Sequence, residues 1–323
     1  ADLDGDRLLD LVTANVGTAD HSLLLARGPG QFGRPTSLAG GSGTRGIAAG
    51  HLDDDGIVDL VGANQDTNYI ALYFGDGDGG FSPQMPVAAG DRPRQVRIVD
   101  LDDDGDNDLV ALAEESNDVS VLIGDDSGAF ATAVAYGVGI QPFDLTVVDL
   151  DADGSLDVIA ANEGEDTVSV LWGNGDGTLM DEERLTVAVG PRSVAAADID
   201  DDGNLDLVAA CFDSGIVSIL PGAGARTFDR HVPLPVGKEP YAVKIADMNS
   251  DGRLDLVTVN RSTAEVSILV AIDEEVPFAV EQPYGVGLNP LAVALSDLNA
   301  DGVPDMAVAA AGASVVAVVL SDP

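Results

Sequence analysis

Asp149-Leu-Asp-Ala-Asp-Gly-Ser-Leu-Asp157-Val-Ile-Ala160 decides the reading of this chain. Aspartates at loop positions one, three and five precede a glycine at six, and a fourth aspartate at nine opens an apolar run. The same nine-residue pattern begins at Asp2, His51, Asp100, Asp198, Asp247 and Asp297, so successive starts lie 49, 49, 49, 49, 49 and 50 residues apart. Glycine at six lets the backbone bend sharply. Carboxylates on alternate residues then converge on one point, as a hard cation with six to eight oxygen ligands requires. Two carboxylates about 4 Å apart repel by about 4 kcal/mol at an effective dielectric near 20. Without a cation such a loop is strained.

What the loops are attached to follows from position nine. An EF-hand carries a glutamate at position twelve between two helices. Here position nine opens β-type runs such as Asp206-Leu-Val-Ala-Ala210 and Asp255-Leu-Val-Thr-Val259. Each unit reads as a strand A ending at the loop (Ser193 to Asp198), the loop, an apolar strand B, and an alternating strand C (Thr167 to Trp172). A Gly-Asp-Gly turn, a Phe-led strand D and a Gly-x-x-Pro link complete it. Four short strands at a period of 40 to 50 residues mark a propeller blade. The expectation is an all-β, seven-bladed β-propeller of four-stranded blades forming one domain over residues 1–323. Blade one lacks strand A and blade seven stops after strand C, so the terminal blades are incomplete and offer edges for association.

Composition narrows the function. The chain has 323 residues, 45% hydrophobic content and a formal net charge of −41. Its apolar content excludes a disordered acidic tail, and its charge argues against nucleic acid or an anionic membrane as a general partner. No charge-free apolar stretch approaches the roughly 20 residues needed to span a bilayer. One cysteine, Cys211, allows no intrachain disulfide and reads as a buried strand residue.

The loops, the Ala-Asn strand endings at Asn15, Asn64 and Asn162, and the turns Gly75-Asp-Gly-Asp-Gly79 and Gly173-Asn-Gly-Asp-Gly177 resemble the FG-GAP or VCBS repeat family. That family comprises calcium-loop propellers, including the integrin alpha head. The resemblance covers essentially the whole chain. It implies several structural Ca²⁺ ions, up to seven, and an extracellular or cell-surface location.

The candidate ligands are Asp2, Asp4, Asp6 and Asp10 in loop one, and Asp53, Asp55 and Asp59 in loop two. Loop three offers Asp100, Asp102, Asp104 and Asp108; loop four, Asp149, Asp151, Asp153 and Asp157; and loop five, Asp198, Asp200, Asp202 and Asp206. Loop six offers Asp247, Asn249, Asp251 and Asp255, and loop seven Asp297, Asn299, Asp301 and Asp305. Asparagine keeps an oxygen ligand without its charge. His51 replaces the first aspartate of loop two, and Arg7 replaces the bend glycine of loop one, so these two loops are expected to be the weakest.

Uniform spacing leaves no room for an inserted lid or active-site loop. The three histidines, His21, His51 and His231, fall at different repeat positions and pair with no nucleophile. The expected function is a non-catalytic binding or adhesion module. Its alternatives are a carbohydrate-active propeller, lectin or polysaccharide lyase, acting on acidic polysaccharide, and a spacer domain of a longer surface protein. The resemblance places ligand binding on the face opposite the calcium loops. There Arg45, Arg94, Phe143, Arg192, Tyr241 and Leu291 share one repeat position. They read either as a cationic, stacking mouth for an acidic polysaccharide or protein, or as strand openers paired with neighbouring acids.

Overall fold

Every apolar run after position nine forms a strand B, and five of these are buried along their whole length: Asp59–Asn64, Asp108–Ala113, Asp157–Asn162, Asp206–Cys211 and Asp255–Asn260. Packing on both faces explains why these runs are continuously apolar rather than alternating. The computed structural model describes residues 1–273, 276–280 and 283–321. The fold is a seven-bladed β-propeller, all-β among the described residues.

Blade three shows the plan. Strand A (Pro93–Val99), strand B (Asp108–Ala113), strand C (Asp118–Leu122) and strand D (Val134–Gly137) pair antiparallel in that order. Val99, the last residue of A, pairs with Asp108 at loop position nine, so the loop is the A-to-B hairpin connection. Blades two, four and five repeat the four-strand order. Strand D lies at the solvent edge, with Met85, Val134 and Val232 among the exposed hydrophobic residues.

Blades one and seven have three strands each, as the sequence predicts. Blade one holds B, C and D (Leu11–Asn15, Asp20–Leu24, Thr36–Ala39), and blade seven holds A, B and C (Pro290–Ser296, Asp305–Ala310, Val315–Val319). Blade six departs from four strands. Its strand C runs nine residues, Glu265–Asp273, and pairs with both Val276–Val280 and Tyr284–Gly285.

One detail of the predicted blade is corrected. Strand D is not led by the aromatic residue. Phe81, Phe130, Leu179 and Phe228 each make a single bridge back to Gly75, Gly124, Gly173 and Gly222. The sheet strands then begin later, at Met85, Val134, Glu183 and Val232. The turn closes on itself before the chain rejoins the blade.

Two compact units are distinguished. The first comprises Ala1–Asp149, Gly154–Ala160 and Ser169–Arg184; the second comprises Leu150–Asp153, Ala161–Val168 and Leu185–Pro323. Each has its own apolar core between neighbouring blades. In the first unit Leu101, Val110, Leu112 and Val121 pack with Leu145, Val158 and Leu171. In the second, Val208, Ala210 and Val217 pack with Val243, Leu256 and Leu269. Among the described residues no helix is long and apolar enough to cross a membrane.

Candidate functional site

Position nine of the loop anchors it to the blade. In loop three the buried Asp108 carboxylate accepts the backbone N–H of Leu101 through Oδ2 and that of Gly124 through Oδ1, both at 2.8 Å. Loop two repeats the pair with Asp59, Leu52 and Gly75, and loop five with Asp206, Ile199 and Gly222. Asp10 binds Leu3 and Ala26, Asp255 binds Met248 and Ala271, and Asp305 binds Leu298 and Ser321. Asp157 takes the N–H of Gly173 at 2.7 Å. The residue was expected only as a metal ligand; its two oxygens also tie the loop to the end of strand C.

Position one shapes the bend. Asp100, Asp149, Asp198, Asp247 and Asp297 each accept the N–H of the glycine five residues on, at 2.8–3.0 Å. Those glycines have φ between 85° and 100°, and Arg7, in the same place in loop one, sits at φ 72°. Position four is left-handed too, at Asp103, Ala152, Asp201, Ser250 and Ala300. Sequence reasoning missed this, because aspartate tolerates a positive φ but the alanines and serine at the same position give no sign of one.

Four loops bring three carboxylate oxygens within 4.8 Å of one another. They are Asp2, Asp4 and Asp6; Asp100, Asp102 and Asp108; Asp149, Asp151 and Asp157; and Asp198, Asp200 and Asp206. In loop three Asp100 Oδ1 and Asp102 Oδ1 are buried without a hydrogen-bond partner. Buried polar atoms in native proteins are nearly always paired, so these two orphaned oxygens fit a bound cation. Burial, with the charges of Asp104 and Asp100 beside it, pushes the Asp102 carboxyl above its usual range. Asp200 in loop five and Asp4 in loop one are raised for the same leading reason, burial. Hard-oxygen donor sets of this kind suit Ca²⁺.

The departing loops behave differently. In loop two His51 Nδ1 lies 2.8 Å from the carbonyl of Ile57, so the histidine engages the position-seven carbonyl a cation would need. Asp53 and Asp55 there accept N–H groups within the loop. In loops six and seven the amides of Asn249 and Asn299 donate to Asp251 and Asp301. Loop one, expected to be weak because of Arg7, nonetheless groups its first three acids. Asp104 and Asp202, at position five of their loops, accept the N–H of Asp106 and Asn204.

On the opposite connections, the residue after the repeat proline is a β-bulge. Strand pairing skips a residue at Arg45, Arg94, Arg192, Tyr241 and Leu291. A bulge re-aims its side chain, and at Arg94 it lays the side chain on the neighbouring blade. The Arg94 guanidinium stacks 3.3 Å from the ring centroid of Phe143, donates to the Phe143 carbonyl at 3.1 Å and pairs with Glu114 at 3.0 Å. Only 8% of Arg94 is exposed. Gln65 joins the set, accepting from Arg45 at 2.8 Å and donating to Glu114.

In the second unit Arg192 stacks 3.4 Å from the Phe212 ring, donates to Glu163 at 3.0 Å and faces Tyr241. Of the basic residues in the series, Arg94 and Arg192 are thus held by acids and aromatic faces of their own chain, and Arg45 is the exposed one. Trp172, at the end of strand C, is buried and donates to Glu183, and Cys211 is buried as expected.

Repeated acidic A-to-B loops on a seven-bladed ring define an acidic-loop β-propeller. The model of the FG-GAP-like repeat matches residues 2–61, 51–111, 100–160, 149–209, 202–258 and 247–308, and the chain belongs to that family. No curated protein sequence matches it significantly. Among solved structures, a putative 6-phosphogluconolactonase from Bacteroides uniformis superposes with TM-score 0.72 at 13% identity, over 96% of this chain and 91% of that one. The Pseudomonas aeruginosa periplasmic gluconolactonase PpgL gives 0.67 at 16%, over 97% and 95%. An Agrocybe aegerita lectin that recognises non-reducing terminal N-acetylglucosamine gives 0.55 at 15%, over 86% and 80%. At these identities the likeness is one of fold alone.

Proposed function

We propose that this chain is an extracellular, calcium-stabilised propeller that serves as a non-catalytic binding module. The observation that carries the calcium reading is the pair of orphaned buried oxygens, Asp100 Oδ1 and Asp102 Oδ1, in a loop where Asp108 brings a third carboxylate beside them. FG-GAP membership supports the same cation in loop five, whose acids at positions one, three and nine are grouped alike, and in loop one, which groups positions one, three and five. Loops of modest affinity fill at the millimolar calcium of an extracellular fluid, which is the physical argument for that location.

The partner is proposed to be a protein that meets the face opposite the loops. Supporting this, the D-to-A links carry Ile140, Val189 and Leu288 at one repeat position, exposed by 50%, 51% and 66%. Exposed apolar tips suit a protein surface better than a charged polysaccharide. Arg94 and Arg192, already engaged by Glu114 and Glu163, act as clips between blades. Binding to an array of neutral and acidic polysaccharides at millimolar calcium tests this choice. The expected result is no retention. Retention of an acidic glycan, lost in Arg45→Ala, would replace the protein partner with a cationic mouth.

A further inference from the structure

Loop four has the full sequence pattern, as loops three and five do, yet its acids already face a cation. Asp151 is paired with the Arg226 Nε, and Asp153 Oδ2 lies 2.9 Å from Arg226 Nη2. Asp151 is left only 9% exposed beneath the guanidinium. Arg226 belongs to the C-to-D turn of blade five, Gly222-Ala-Gly-Ala-Arg-Thr-Phe228, and its φ is 61°.

The corresponding turns of blades two, three and four carry Gly79, Gly128 and Gly177 at this place, with φ of 82°, 73° and 77°. A Cβ added to Gly79 would lie 3.3 Å from Asp4 Cβ, and one added to Gly177 would lie 3.5 Å from Asp102 Cβ. This turn position therefore sits directly over position three of the preceding loop. Where it is glycine, as over loop three, Asp102 Oδ1 is orphaned. Where it is Arg226, the equivalent Asp151 has a guanidinium partner.

We propose that Arg226 is a tethered counter-cation that competes with divalent metal for loop four. The inference rests on the calcium reading above. A guanidinium on Asp151 and Asp153 supplies positive charge where the ion would bind, at the local concentration of a neighbouring turn. Its forked donors suit carboxylates. Part of loop four's negative charge is thus offset without calcium, and an ion enters by displacing Arg226 from Asp151 and Asp153. Sequence completeness and metal affinity part company at this loop.

The test is calcium titration by calorimetry of the chelated wild-type chain, Arg226→Gly and Arg226→Lys, with circular dichroism to confirm that each variant folds. Glycine suits the left-handed φ and restores the residue found in the other turns. The expected result is that Arg226→Gly gains one site, or tightens one site at least tenfold, and that adding Asp151→Asn abolishes the gain. Arg226→Lys should fall between the two, since lysine keeps the charge without the fork.

If the wild type binds calcium and Arg226→Gly matches it in stoichiometry and within twofold in affinity, the competition is refuted and the calcium reading stands. If neither chain binds calcium at all, both fall. A second readout is melting in chelator. Arg226→Gly should melt below the wild type there, because Asp151 and Asp153 lose the guanidinium charge beside them, and millimolar calcium should close the gap. A gap that calcium leaves open contradicts the proposal.

Discussion

Gly124 donates its backbone N–H to Asp108 at 2.8 Å, sixteen residues earlier in the chain, and the equivalent bond recurs in all seven blades. A Cβ on Gly124 would lie 2.2 Å from the Asn107 carbonyl, and Gly75, Gly173 and Gly222 are as tightly placed against Val58, Leu156 and Leu205. The glycine of the turn is thus fixed by close approach to the loop rather than by a positive φ.

Replacing Asp108 by alanine would leave the Leu101 and Gly124 N–H groups buried and unpaired. At about 1–3 kcal/mol for each lost partner, the expected loss is roughly 4 kcal/mol. Asp108→Asn keeps one acceptor oxygen and should cost about half as much. Gly124→Ala should cost about 2 kcal/mol through overpacking against Asn107. Denaturant unfolding of the three variants checks the order; equal stability of Asp108→Ala and the wild type would contradict it.

Arg94 and Arg45 share a repeat position but not an environment. Arg94→Ala removes a stacked, ion-paired and nearly buried guanidinium and leaves Glu114 without its counter-charge, beside the neutral Gln65 amide, so about 3 kcal/mol of stability should be lost. Arg45→Ala, at an exposed site, should stay within about 0.5 kcal/mol. Thermal melting of both variants separates an architectural arginine from a surface one.

His21 sets a pH dependence. It is wholly buried, edge-on to Tyr73, and burial pushes its pKa from 6.5 down to about 4, with the Asp20 charge opposing. The folded state therefore refuses a proton that the unfolded chain accepts. Stability should fall as pH drops below 6.5, with the full loss, about 3 kcal/mol, reached below pH 4. Burial also raises the Asp59 and Asp108 carboxyls, and these work in the opposite sense, adding stability as pH falls. The difference between the wild type and His21→Leu isolates the histidine, and it should move against the wild type by about 3 kcal/mol from neutral pH to below pH 4. A constant difference would rule the histidine out.

The blade count, the loops and the three-stranded first and last blades were all legible in the sequence, because each rests on a short motif repeated at a fixed period. What stayed hidden depends on contacts between distant residues. Arg94 meets the Phe143 carbonyl and Gln65 meets Glu114 exactly one repeat away, 49 residues on. Spacing alone aligned Arg94 with Phe143 as equivalents and gave no sign that one lies on the other. Arg226 was equally silent, since its meaning appears only when the turn of blade five is seen against Asp151 of blade four. The additional pairing of strand C in blade six follows from the run Ala271 to Val280, which lacks the Gly-Asp-Gly turn.

Calcium as a staple is the central claim. Free calcium at ten times the Kd adds about 1.4 kcal/mol per site, so the grouped loops one, three and five together contribute roughly 4 kcal/mol. The most direct measurement is scanning calorimetry of the intact chain, first thoroughly chelated and then returned to millimolar calcium. The account predicts a melting temperature several degrees higher with calcium, reversed by fresh chelator and diminished by Asp100→Asn with Asp102→Asn. Melting curves that coincide with and without calcium would contradict it.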